Sequence, residues 1–175
     1  MTLREKRLWA AAAVCLAAIY AAIFFARRIV DFLRARGELR WVVLGVFAAT
    51  AVIVLWRVVR SRPGWREIAA VAACGVLYAL VLSRLERHEE RLHFLEYGLF
   101  AGLVEAALRE RGVKGAGALA VAVTFAAGWL DEGIQGRVPG RVYDLRDVGF
   151  NLVAGILAVL AVTARRISQQ RSRLR

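Results

Sequence analysis

Two short stretches hold most of the residues that could do chemistry. In ERHEERLHFLEYGLFAGL, Glu86–Leu103, the residues His93, Glu96 and Tyr97 stand at i, i+3 and i+4, which puts them on one helix face. In WLDEGIQGRVPGRVYDLRDVGFN, Trp129–Asn151, four carboxylates and three arginines are crowded between two apolar runs. Here Asp131 and Gln135 are one helical turn apart with Glu132 beside them, and Pro139-Gly140 sets a bend. Beyond the bend, Asp144, Asp147, Asn151 and Gly155 fall within about 80° of one helix face at 100° per residue. Carboxyl groups against an apolar wall, with an imidazole in reach, are the ingredients of acid–base chemistry, with Glu132 or Asp131 as base and His93 as acid. Arg137 and Arg141 offer planar forks suited to phosphate or carboxylate. No serine or cysteine stands beside a base in this set, which disfavours covalent acyl transfer. The acidic residues with His93 have the oxygen ligands of a divalent-cation site, but no fixed metal-ligand spacing, so neither metal nor cofactor is assigned. A plainer reading makes the arginines and carboxylates a salt-bridge network that closes the loop, with Arg141 paired to Asp131 or Asp144. Tyr97 reads equally as an interfacial anchor, His88 as a solvated loop residue, and Glu105 as a lone residue at the far edge of its helix.

The elements that would hold these residues are membrane helices. Hydrophobic residues make up 59% of the 175, more than the roughly 45–50% of soluble domains, and the mean hydropathy is +0.52. Charge-free runs recur at Leu8–Ala26, Trp41–Trp56, Ile68–Ser83, Gly115–Leu130 and Val148–Ala164, while Phe94–Leu108 is broken only by Glu96 and Glu105. A spanning helix needs about 20 residues, so arginines flanking the shorter runs must snorkel outward. Trp9, Trp41, Trp56, Trp65 and Trp129 sit at or beside run ends, as in an interfacial aromatic belt. These features predict an all-α polytopic transmembrane bundle of about six helices in a single membrane domain, 1–175. Within it, 8–83 forms three apolar helices, 84–164 three helices carrying the polar residues, and 165–175 a basic tail. The first run exceeds the apolar core of about 7–15 residues in a cleaved signal peptide and reads as a retained anchor. Arg27–Arg40 reads as an amphipathic connection that either extends the first helix or lies in the interface. Gly98 and Gly102 form a GxxxG spacing for close helix approach.

A net charge of +12 would point a soluble chain towards nucleic acid. Here the basic residues are spread over every connection and both ends, which excludes nucleic acid and implies membrane lipids as partners. Nearly all are arginine, with only Lys6 and Lys114 otherwise, which together with abundant alanine suits a GC-rich bacterial genome. With six crossings, one face collects 15 basic residues and the other 11, which places both termini in the cytoplasm and the third and fifth loops outside. Cys15 and Cys74 each lie inside an apolar run and read as packing residues.

The two polar stretches resemble the VanZ-like family of small bacterial membrane proteins. The match lies in ERLHFLEYGLFA, Glu90–Ala101, and in DEGIQGRVPGRVYDLRDVGFNLVAG, Asp131–Gly155, and it covers roughly Glu90–Gly155. The sequence departs from the family pattern in having Arg91 where a lysine is expected before the histidine. The resemblance maps the family's polar positions onto His93, Tyr97, Asp131, Glu132, Gln135, Arg141, Asp144, Asp147 and Asn151. The family is named for a protein of low-level teicoplanin resistance, so the resemblance implies a cell-envelope role in the bacterial inner membrane. The leading expectation is an outer-face pocket for an anionic or amphipathic envelope molecule, such as a lipid-linked cell-wall precursor or a lipoglycopeptide. Arg141 would bind its acidic group, and His93, Glu96, Asp131 and Glu132 would surround it. The alternatives are a membrane enzyme acting on a lipid-linked phosphate or sugar by acid–base chemistry, and a structural or partner protein whose loop only clamps two helices.

Overall fold

The computed structural model describes residues 1–60, 64–85, 88–139, 141 and 143–173, and the side chains of residues 66, 88, 89 and 165–173 fall outside that description. Among the described residues the chain is all-helical: α1 (Leu3–Ala35), α2 (Leu39–Arg60), α3 (Trp65–Arg84), α4 (His88–Glu110), α5 (Ala116–Gln135) and α6 (Leu145–Arg173). Gly140 of the expected bend, the side chain of His88 and the side chains of the basic tail lie outside the described residues. Five helices, all but α4, are long and apolar enough to cross a membrane.

The one described helix without such an apolar span is the innermost. α4 packs against α6, α1 and α5, and Phe94, Tyr97, Ala101, Val104, Glu105 and Ala107 are buried along it. Its neighbours remove its polar side chains from lipid, where a charge would cost about 2.5–3.5 kcal/mol on insertion scales. At 23 residues α4 is about 35 Å long at 1.5 Å per residue, enough for the full membrane depth. It uses that depth: near its start His93 meets Asp131 at the end of α5, and near its end Arg109 meets Thr163 late in α6. The amino terminus joins this second end, where the Thr2 hydroxyl donates to Glu110 Oε1 at 3.2 Å and Arg4 lies 3.6 Å from Glu110 Oε2. Both ends of the chain's helical core therefore share one face, and the third and fifth connections share the other.

α2 and α3 sit at the periphery. Val52, Ile53, Leu55, Val76 and Leu80 are exposed on them, as expected of surfaces that lipid covers. Trp41, Trp56, Trp65 and Trp129 are exposed near helix ends, with Arg40 stacked 4.6 Å from the Trp41 ring and Arg60 5.3 Å from that of Trp56. This matches the aromatic and arginine belt read from the sequence.

α1 is continuous to Ala35, so of the two alternatives for Arg27–Arg40 the extension of the first helix holds for 27–35. Its start is capped by Thr2, whose Oγ1 accepts from the Glu5 amide at 3.0 Å. Other details differ from the sequence reading. The GxxxG pair does not act as a pair. A Cβ on Gly98 would meet Tyr78 Oη at 3.5 Å, whereas Gly102 faces open space. The closest approach lies instead between α5 and α6, where a Cβ on Gly128 would stand 2.9 Å from Asn151 Cβ and one on Gly117 2.9 Å from Val159. Glu105 is no edge residue: it is fully buried, with Oε1 accepting from Arg109 Nε at 2.5 Å and from Thr163 Oγ1 at 3.3 Å. Buried carboxyls are also not confined to the last three helices. Glu5 and Glu67 are each 3% exposed, both in the first turn of a helix, where the macrodipole favours an acid.

Candidate functional site

Packing α4 against the last turn of α5 brings the central residues together. His93 Nε2 lies 2.6 Å from Asp131 Oδ2, and Nδ1 of the same ring lies 3.3 Å from Glu96 Oε2, one turn further along α4. The imidazole is thus held between two carboxyls that pin its orientation. Its ring also meets Tyr97 edge-on at 5.1 Å between centroids. Asp131 is fully buried and Glu132 is 1% exposed, while Glu96 is partly exposed at the rim.

Tyr97 is not the interfacial anchor of the alternative reading. It is fully buried, and its hydroxyl donates to the Ala127 carbonyl at 3.4 Å. Tyr20 on α1 donates to the same carbonyl at 3.0 Å and closes this side of the site. The sequence reading passed over Tyr20, although a tyrosine deep in a 19-residue charge-free run is an intramembrane hydroxyl that must find a partner. It also passed over Thr124, which is fully buried on α5.

The loop after α5 closes the site from above. The Asp144 amide donates to Glu132 Oε2 at 3.3 Å, and Asp144 Oδ1 accepts from the Arg146 amide at 2.8 Å, so Asp144 both holds Glu132 and starts α6. Arg141 Nη1 donates to Gln135 Oε1, a short bond that ties the loop back to α5. That bond replaces the pairing to Asp131 or Asp144 expected from charge alone. Arg137 Nη1 caps the end of α5 on the Gly133 carbonyl at 2.6 Å. Asp147, in the first turn of α6, lines an open cleft with Arg84, Glu90, Asp144, Arg146 and Phe150. Asn151 lies deeper, 1% exposed against Gly128. The face running Asp144, Asp147, Asn151, Gly155 therefore exists as read, but it grades from an exposed cap to a buried packing contact.

The hydrogen-bond ledger of this region does not close. Asp131 Oδ1, Glu132 Oε1, Thr124 Oγ1 and the Asn151 side-chain amide nitrogen are buried with no partner. Buried carboxyl oxygens without donors are costly. His93, Asp131 and Glu132 also each present one ligand atom within 4.8 Å of the others, the geometry of a candidate cation site. No sequence spacing announces that grouping, because it is made by two helices whose members stand 38 residues apart. Comparison with protein-family models, curated proteins and solved structures gives no match.

Proposed function

We propose that this chain is a VanZ-like membrane protein of the bacterial cell envelope, similar to glycopeptide (teicoplanin) resistance proteins. In this reading it lies in the inner membrane with both ends cytoplasmic, and its polar pocket binds the head of an anionic or amphipathic envelope molecule. A lipid-linked cell-wall precursor or a lipoglycopeptide has the required chemistry: an apolar tail for the lipid phase, hydroxyl and amide donors, and an acidic group. The excess of basic residues on the face that carries both termini supports the orientation.

The observation that carries the reading is the pair of unsatisfied carboxyl oxygens on Asp131 and Glu132, with Glu132 bonded to the amide of Asp144, which itself lines a cleft with Arg84 and Arg146. Polar groups inside a membrane bundle are retained for function when structure does not satisfy them. His93, Glu96 and Tyr97 form one wall of the pocket, Gln135 and Arg141 the loop side, and Asp144 and Asp147 the mouth. Native mass spectrometry of gently purified protein tests it. Wild type retains a specific envelope lipid, and folded Arg141→Ala and Glu132→Ala lose it. Equal lipid profiles with merely less stable variants would replace this reading with a structural clamp between α5 and α6.

One observation favours a second reading. The 2.6 Å contact of His93 with Asp131, next to Glu132, is the arrangement of an acid–base pair, which fits an enzyme acting on a lipid-linked phosphate or sugar. In that case Glu132→Gln stops turnover of the lipid while retention of the lipid persists.

A further inference from the structure

We propose that His93, Asp131 and Glu132 bind a divalent cation of the zinc class, and that the cation's open coordination position receives the acidic head of the bound molecule. The second half of this inference rests on the headgroup reading above; the first half does not.

Charge balance is the starting point. Asp131, Glu132 and Glu96 surround a single imidazole, and the nearby Arg141 guanidinium hydrogen-bonds the neutral Gln135. A proton on His93 would offset one carboxylate and leave the others uncompensated. Asp131 and Glu132 also stand at the end of α5, whose last turn contains no basic residue, and the Arg137 guanidinium just beyond it bonds the Gly133 carbonyl and neither carboxyl. The macrodipole makes that end of a helix the wrong place for two acids and the right one for a cation. A pocket floor of this sign repels an anionic head, and a bound dication neutralises the two ligating carboxylates and offers the head an open coordination position.

The ligand geometry agrees. Ligand atoms at about 2.1 Å from one tetrahedral ion lie about 3.4 Å apart, so a set already within 4.8 Å closes on an ion with side-chain shifts of about 1 Å, His93 and Asp131 separating from their 2.6 Å contact as they do so. The orphaned oxygens supply the independent sign of a ligand: Asp131 Oδ1 and Glu132 Oε1 are buried without partners, on side chains 0% and 1% exposed. The supporting residues are in place as well. Glu96 at 3.3 Å from His93 Nδ1 makes the carboxylate–histidine pair that turns Nε2 towards a metal. The Asp144 amide holds Glu132 Oε2 and leaves Oε1 free. One imidazole with two carboxylates suits zinc or manganese, and three protein ligands leave a coordination position for an exogenous oxygen.

The test uses the full chain in detergent, stripped with chelator, dialysed against Zn²⁺ and assayed by elemental mass spectrometry, with Co²⁺ absorption as a second readout. Wild type binds one ion per chain. Glu132→Gln and Asp131→Asn lose it, Glu96→Gln weakens it about 10–100-fold as a positioning residue, and Glu105→Gln at the opposite end leaves it unchanged. Glu132→Gln keeps the test decisive if Asp131→Asn fails to fold. Wild type without stoichiometric Zn²⁺, or Glu132→Gln binding as wild type does, would overturn the cation site. The second arm measures retention of short-chain phosphatidic acid against phosphatidylcholine. Retention that disappears with chelator and returns with Zn²⁺ supports the bridge. Retention indifferent to Zn²⁺ overturns the bridge and leaves the pocket standing. Zn²⁺ binding with neither lipid retained overturns the headgroup reading and leaves the cation site standing.

Discussion

The contact between Glu105 and Arg109 gives the sharpest check on how this bundle tolerates charge. Glu105 is fully buried on the innermost helix, and its Oε1 accepts from Arg109 at 2.5 Å and from Thr163 at 3.3 Å, while Arg109 also donates to Thr163 at 3.0 Å. Arg109→Ala removes the only cation in this triad and leaves Thr163 as the sole donor to a carboxyl whose Oε2 already has none. Breaking a buried pair by deleting one partner costs about 3–5 kcal/mol. The Arg109 side chain is 32% exposed, which points to the lower end, about 3 kcal/mol, or about two orders of magnitude in the unfolding constant. Removing both charges, in Arg109→Ala with Glu105→Leu, restores most of that loss, because no uncompensated carboxyl is left behind. Equilibrium unfolding in mixed micelles, followed by tryptophan fluorescence, measures both variants. A single variant within about 0.5 kcal/mol of wild type, the range of an ordinary surface substitution, would refute the reasoning. So would a double variant no more stable than the single one.

Two further predictions use the same assay. Gly128→Val drives a side chain into Asn151, forces α5 and α6 apart beside the site, and costs about 1–3 kcal/mol. Gly102→Ala meets open space and gains up to about 1 kcal/mol from the better helix former, so equal losses at the two positions would refute the assignment of the close approach to α5 and α6. Glu132→Gln, measured in chelator, raises stability by about 0.3–1 kcal/mol, because it deletes an acid from the last turn of α5 where the macrodipole opposes it. A destabilised Glu132→Gln would favour the structural clamp.

Much of this was readable from the chain, and the failures have identifiable causes. Charge-free runs located α1, α2, α3, α5 and α6 because lipid demands uninterrupted apolar length. α4 was readable only through Phe94–Leu108, a run that Glu96 and Glu105 interrupt, since a helix enclosed by others is released from that demand. The end of α1 was blurred by Arg27 and Arg28, which a helix emerging from lipid carries as easily as a connection does. Local spacing gave the shared face of His93, Glu96 and Tyr97, and it could have given Glu105 with Arg109, four residues apart on one helix. No local rule reaches across the 38 residues from His93 to Asp131, or from Arg109 to Thr163, because those pairings come from how three helices pack. The GxxxG motif misled for the complementary reason: small residues permit close approach, and which helix accepts the offer is decided by the whole interface.

The two ends of α4 also show why the polar residues near His93 read as a site and those near Glu105 as structure. At the Glu105 end the buried carboxyl is matched by Arg109 within its own helix and by Thr163 from α6, so charge is compensated as it is buried. At the His93 end a single imidazole faces three carboxyls, and the local helix dipole adds to the mismatch. Both ends leave carboxyl oxygens without donors, Glu5 Oε1 and Glu105 Oε2 at one and Asp131 Oδ1 and Glu132 Oε1 at the other, so the difference between them is one of charge. Glu105 has a guanidinium beside it, whereas Asp131, Glu132 and Glu96 share one imidazole, and a positively charged ligand at Asp131 and Glu132 removes that mismatch. The signs of the two stability changes follow from this asymmetry: neutralising Glu132 relieves the bundle, whereas deleting Arg109 burdens it.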